Sequence, residues 1–237
     1  MFRKTEYLNV AQFIFYLVVT YLIFQFHEMG HWLTNIFFGQ KFVVFPAGVI
    51  RTTFDESNQL ANVTIEGMGV VFSLILSVIG ILLLTKSKDR FWTRTGYFIG
   101  FISSIGMIGY HIAGLFGLIT DNDSGSIARY LNISQPVVII PVTLIFVLLS
   151  VIIIRNTPKE YKGPYYSSIF FLMILLERFL VVFLYDTYMH RQYNNGGFVI
   201  EPIHGFPLSL LLINLISIGL FVLFVVNKKR YFQYRAG

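Results

Sequence analysis

Apolar residues in this chain do not alternate with polar ones along most of its length. They gather in six long runs, at about 9–38, 66–84, 97–119, 136–154, 165–185 and 207–227. A helix rises 1.5 Å per residue, so roughly 20 residues cross a hydrocarbon core about 30 Å thick. Each run is near or above that length and predicts a membrane-spanning helix. The first run is too long and ends too late for a cleaved signal peptide, and no small-residue cleavage site follows it. One interval has a different rhythm. Within 39–65, Lys41–Phe45 and Val49–Phe54 are rich in β-branched and aromatic residues, Asp55-Glu56-Ser57-Asn58 reads as a turn, and Leu60–Ile65 reads as a further short strand. This predicts a small antiparallel β insert after the first helix. The expected fold class is therefore an all-α membrane protein, a polytopic bundle of about six transmembrane helices with a short β-hairpin-like insert. We read residues 1–237 as a single integral membrane domain.

Composition agrees with a lipid solvent. Of 237 residues, 55% are hydrophobic and 13% charged, about half the charge of an ordinary soluble domain. There are no cysteines, which excludes disulfides, thiolate metal ligands and cysteine nucleophiles. The net charge of +6 could suggest a nucleic-acid partner, but its distribution points to membrane topology instead. With the N-terminus placed in the cytoplasm, 13 Lys and Arg fall in inner segments and 4 in outer ones, with Arg178 inside a span. Short loops rich in Lys and Arg stay on the cytoplasmic side. Both termini are expected to be cytoplasmic, in a multi-pass protein of the plasma membrane.

The candidate chemistry lies in the first span. His27-Glu28-Met29-Gly30-His31 is an HExxH pattern. On a helix, positions i and i+4 share a face, so two imidazoles can hold one Zn²⁺ with the Glu beside a metal-bound water. Nineteen residues separate Leu8 from His27, roughly 28 Å of helix, which puts the motif near the far boundary of the bilayer. Ionisable groups at that depth are costly and usually functional. Catalytic zinc takes three protein ligands and keeps one position open. The third span runs toward the same side and leads into Asp121-Asn122-Asp123, so two carboxylates arrive at the right depth.

These residues together resemble the site-2 protease family of intramembrane zinc metalloproteases. In that family one transmembrane helix carries HExxH and a later one carries an Asp ligand in an L-D-G-G-like motif. Asp123-Ser124-Gly125 stands in the place of Asp-Gly-Gly, although the Leu and the first Gly are replaced, which keeps Asp121 open as a rival. Glu66-Gly67-Met68-Gly69-Val70-Val71 resembles the small-residue start of the family's next helix. The likeness covers a core of about 20–130, with 136–237 as additional transmembrane helices. It implies Zn²⁺ held by His27, His31 and Asp123, Glu28 as the catalytic acid and base, and a membrane-protein or transmembrane-peptide substrate. Two other classes fit the same residues: a zinc-binding transporter or sensor without catalysis, which has no need of Glu28, and a zinc hydrolase acting on a lipid or small amide.

Several polar residues have simpler readings. His111, among glycines of the third span, reads as a packing or hydrogen-bonding histidine. Glu177 and Arg178 in the fifth span point about 100° apart on a helix, so each is expected to find a partner on another helix. Asp186, His190, Glu201 and His204 read as solvated loop residues on the motif's side, and Gly196-Gly197 as a turn. Asn62-Val63-Thr64 and Asn132-Ile133-Ser134 match the glycosylation acceptor pattern.

Overall fold

A computed structural model describes residues 8–46, 48–51, 57–119, 122–195 and 205–232. Helix α1 spans Val10–Phe37 and starts at a capping box, in which the Asn9 side chain accepts from Gln12 N at 2.8 Å and the Gln12 side chain accepts from Asn9 N at 3.3 Å. Strands β1 (Phe42–Phe45) and β2 (Gly48–Arg51) follow as an antiparallel hairpin. Helix α2 spans Gln59–Lys86 and α3 Arg90–Leu115. A short helix α4 (Asp123–Tyr130) precedes α5 (Gln135–Asn156). The fifth span is one 31-residue rod, Pro164–Asn194. It is built from α6 (Pro164–Glu177), a π-helical stretch Arg178–Asp186, and α7 (Thr187–Asn194). Helix α8 (Leu208–Val226) and the single turn α9 (Lys228–Tyr231) end the described chain.

Among the described residues six helices are thus long and apolar enough to cross a membrane, in the order expected, and the β insert is present. One part of the insert is corrected. Leu60–Ile65 is helix rather than strand, because the Asn58 side chain caps Ala61 N at 3.1 Å and starts α2 well before its apolar run. The same change buries Asn62 to 2% exposure, which rules it out as a glycosylation acceptor. The turn expected at Asp55-Glu56 and that at Gly196-Gly197 lie outside the described residues, as do Asp121, Glu201 and His204.

Both ends of the described chain lie at one end of the bundle. Asn9 Nδ2 donates to the Tyr231 carbonyl at 3.0 Å, and Lys228 pairs with Asp89 in the α2–α3 turn. Buried Arg94 donates to Gln12 Oε1 at 3.4 Å and lies over the Tyr161 ring. Tyr16 of α1 stacks on Phe98 of α3 with centroids 3.7 Å apart, in an aromatic core that includes Phe15, Phe91 and Phe170. At the other end α1 and α2 nearly touch. A Cβ on Gly30 would stand 2.8 Å from the Met68 carbonyl carbon, so the glycine sets how closely the two backbones cross.

Candidate metal centre

Residues 27–31 lie in the second half of α1, toward the end of the bundle away from both described termini. His27 and His31 are one turn apart and face α2 and α4. Gly69 of α2 makes the space for them. A Cβ there would collide with His31 Nε2 and sit 2.9 Å from His27 Cε1.

The carboxylate arrives by a break in the chain. Helix α3 stops at Leu115 and Gly117 takes a left-handed φ of 69°. The chain then turns back into α4, whose N-cap Asn122 accepts from Gly125 N at 2.7 Å. Asp123 is therefore the first residue of a separate short helix. His111 steadies that helix, with its Nε2 3.1 Å from Ser124 Oγ, so it is a buried hydrogen-bonding histidine as expected.

Three ligand atoms converge. His27 Nε2 is 3.2 Å from His31 Nε2 and 3.1 Å from Asp123 Oδ2, and His31 Nε2 is 3.5 Å from the same oxygen. Tetrahedral zinc with bonds of 2.0–2.1 Å separates its ligand atoms by about 3.3 Å. The other ring nitrogens are already engaged. His31 Nδ1 is 2.8 Å from the Ile65 carbonyl oxygen and His27 Nδ1 is 2.9 Å from Ser73 Oγ. A carbonyl can only accept, so His31 carries a proton on Nδ1, which makes Nε2 the nitrogen whose lone pair a metal would take. Asp123 is almost fully buried. Burial raises its carboxyl, but the neighbouring His31 and His27 outweigh that and hold it well below the usual carboxylate range. Two imidazole lone pairs and a carboxylate oxygen facing one point are what a divalent cation requires, and His27, His31 and Asp123 form a group that can hold one.

Comparison with family models, with curated proteins and with solved structures finds no match to this chain. The functional reading therefore rests on the site itself.

That site opens on a cavity of about 630 Å³. Glu28 lines it beside His27, His31 and Asp123, and so do Glu66, Arg178 and His190. Two of these positions depart from expectation. Glu177 and Arg178 pair with each other, Nε to Oε2 at 2.6 Å and Nη2 to Oε1 at 3.2 Å. Both side chains are long enough to bridge adjacent positions, and in apolar surroundings the nearest counter-charge is the one that compensates burial. His190 is on α7 rather than in a loop. It stacks on Phe45 of the hairpin with centroids 3.9 Å apart and lies 3.3 Å from Asp186. Sequence reasoning also missed Ser73 and the Ile65 carbonyl. The signal for the first was present, since Ser73 falls four residues after Gly69 and so on the same face of α2.

Proposed function

We propose that this protein is an intramembrane zinc metalloprotease that hydrolyses peptide bonds in or near transmembrane segments of membrane proteins. The observation that carries the reading is the convergence of His27 Nε2, His31 Nε2 and Asp123 Oδ2 within 3.1–3.5 Å in a cavity that Glu28 also lines. A bound zinc supplies a Lewis acid that polarises the scissile carbonyl and lowers the pKa of a water from 15.7 toward ~7. Glu28 accepts the proton of the attacking water on its carboxylate and returns it to the nitrogen of the leaving amine. Ser73 and the Ile65 carbonyl fix the ring orientation of the two histidines.

A helical substrate has its carbonyls tied up in intrahelical hydrogen bonds, so it must unwind before attack. The hairpin offers a strand for the unwound segment. On β1, Val44 N already donates to the Gly205 carbonyl, which leaves β2, whose Gly48 lines the cavity, as the strand for edge pairing. Glu28 also separates this reading from a metal transporter or sensor, which needs the ligands but not the acid. The excess of Lys and Arg in alternate loops supports cytoplasmic termini and a metal site near the outer face.

The test is a paired measurement on detergent-purified protein. Wild type should hold about one zinc per chain, as a single site of this kind does, and cleave transmembrane peptides. Glu28→Gln should keep the zinc and lose the cleavage, whereas His27→Ala should lose both. Cleavage by Glu28→Gln at the wild-type rate would refute the mechanism.

A further inference from the structure

The Glu177–Arg178 pair lies within a membrane span, and the proposed hydrolysis makes no use of it. Its two members are differently placed. The Glu177 side chain is 1% exposed, while that of Arg178 is 37% exposed and lines the metal cavity. Two of the five guanidinium N–H groups are spent on Glu177. The other three, including both on Nη1, have no hydrogen-bond partner among the described residues. The guanidinium carbon sits 3.6 Å from the centre of the Phe24 ring, so the group is clamped between a ring and a carboxylate. Phe24 and Glu28 are four residues apart on α1, neighbours on one face with Cβ atoms about 5–6 Å apart. A rigid, half-used fork is therefore held about one helical turn from the proposed catalytic acid, in a side chain that lines the same cavity as that acid.

We propose that Arg178 is the specificity-determining residue of this site and binds a carboxylate of the substrate. This rests on the protease reading given above. An extended peptide advances about 3.3 Å per residue, so the anion lies one or two residues from the bond cleaved. Glu177 is a positioning residue, since it orients the fork and neutralises its buried side without blocking Nη1. The carboxylate belongs either to a chain terminus or to an acidic side chain.

Three hydroxamates on one short apolar peptide separate these cases. One ends in a free carboxylate, one in a carboxamide, and one in a carboxamide preceded by Glu. Their binding to the zinc-loaded full chain in detergent is measured by calorimetry. At least one carboxylate form should bind about tenfold or more tighter than the plain carboxamide, the scale of a charge-assisted hydrogen bond, and the better form identifies the source. Arg178→Ala should erase the preference and Arg178→Lys should keep part of it, both at unchanged zinc content. Because Arg178→Ala strands the buried Glu177, the double variant Glu177→Gln with Arg178→Ala is included, and it should also bind all three forms equally. Equal affinity in wild type, or a preference that survives both alanine variants, overturns the proposal. If no hydroxamate binds wild type, the metal reading and this proposal fail together. A carboxylate preference without hydrolysis of any peptide removes the protease reading and leaves Arg178 as an anion site.

Discussion

Two glycines in α2, two residues apart, should respond in opposite ways to the same substitution. A Cβ on Gly69 would collide with His31 Nε2 and stand 2.9 Å from His27 Cε1, whereas a Cβ on Gly67 would meet only Ile127 Cδ1 at 3.8 Å. Carbon atoms are comfortable at about 3.5–4.0 Å, so Gly69→Ala must push the His27 ring back by roughly 0.6 Å or more. Metal–ligand distances tolerate about 0.2 Å. The expected loss of zinc affinity is at least the 10–100-fold typical of a disturbed supporting contact. At a free zinc level of about 100 times the wild-type Kd, metal binding contributes ~2.7 kcal/mol of stability, and a hundredfold weaker site forfeits most of it. Gly67→Ala should leave affinity unchanged and add up to ~1 kcal/mol from helix propensity. Zinc competition against a calibrated chelator, with thermal melts with and without buffered zinc, measures both. Zinc affinity of Gly69→Ala within threefold of wild type, or an equal loss in Gly67→Ala, would refute the argument that Gly69 makes room for the ligands.

Ser73→Ala removes the partner of His27 Nδ1 and should weaken zinc binding about 10–100-fold while leaving the melting temperature of the metal-free protein close to wild type. Asp89 gives a pH signature: partial burial raises its carboxyl, but the Lys228 ammonium and the Phe91 N–H outweigh that and place it below the ordinary carboxylate value. Its contribution is therefore complete above the unfolded value of about 3.9 and lost as pH falls through the lower folded value. Asp89→Asn, which can still cap α3, should flatten acid melting curves in that range, and a steeper curve would contradict the sign. Cysteines at Ser57 and Lys88 in this cysteine-free chain test the orientation. A membrane-impermeant thiol reagent on intact cells should label position 57 and spare position 88, and the reverse pattern would put the metal site on the cytoplasmic side.

The six spans were legible because length and apolarity alone decide what can cross lipid. Their limits were not, because the ends of these helices are polar. Helix α2 begins seven residues before its apolar run, and the intervening Gln59, Asn62 and Thr64 carry no helical periodicity. The deciding feature is the Asn58 cap, one side chain bonded to one backbone N–H. The β-like pattern at Leu60–Ile65 lost to that cap because a helix leaves its first N–H groups without internal partners.

The metal site divides in the same way. His27, Glu28 and His31 could be read directly, since their relation is fixed by the period of a single helix. Asp123 could be placed at the right depth but not on the right face, because its position depends on the left-handed turn at Gly117 and on the Asn122 cap. Arg178 was beyond reach of any pattern. It belongs to the fifth span, far along the chain from the motif, and stands where α-helical hydrogen bonding gives way to π-helical bonding, a change often found at functional sites. Its partner proved to be its own neighbour, which left the outer edge of the guanidinium to the cavity. The ligands were thus encoded locally, whereas what surrounds the ligands was set by how distant helices pack. On the protease reading proposed above, substrate preference is therefore to be sought in the α6–α7 rod rather than in the HExxH helix.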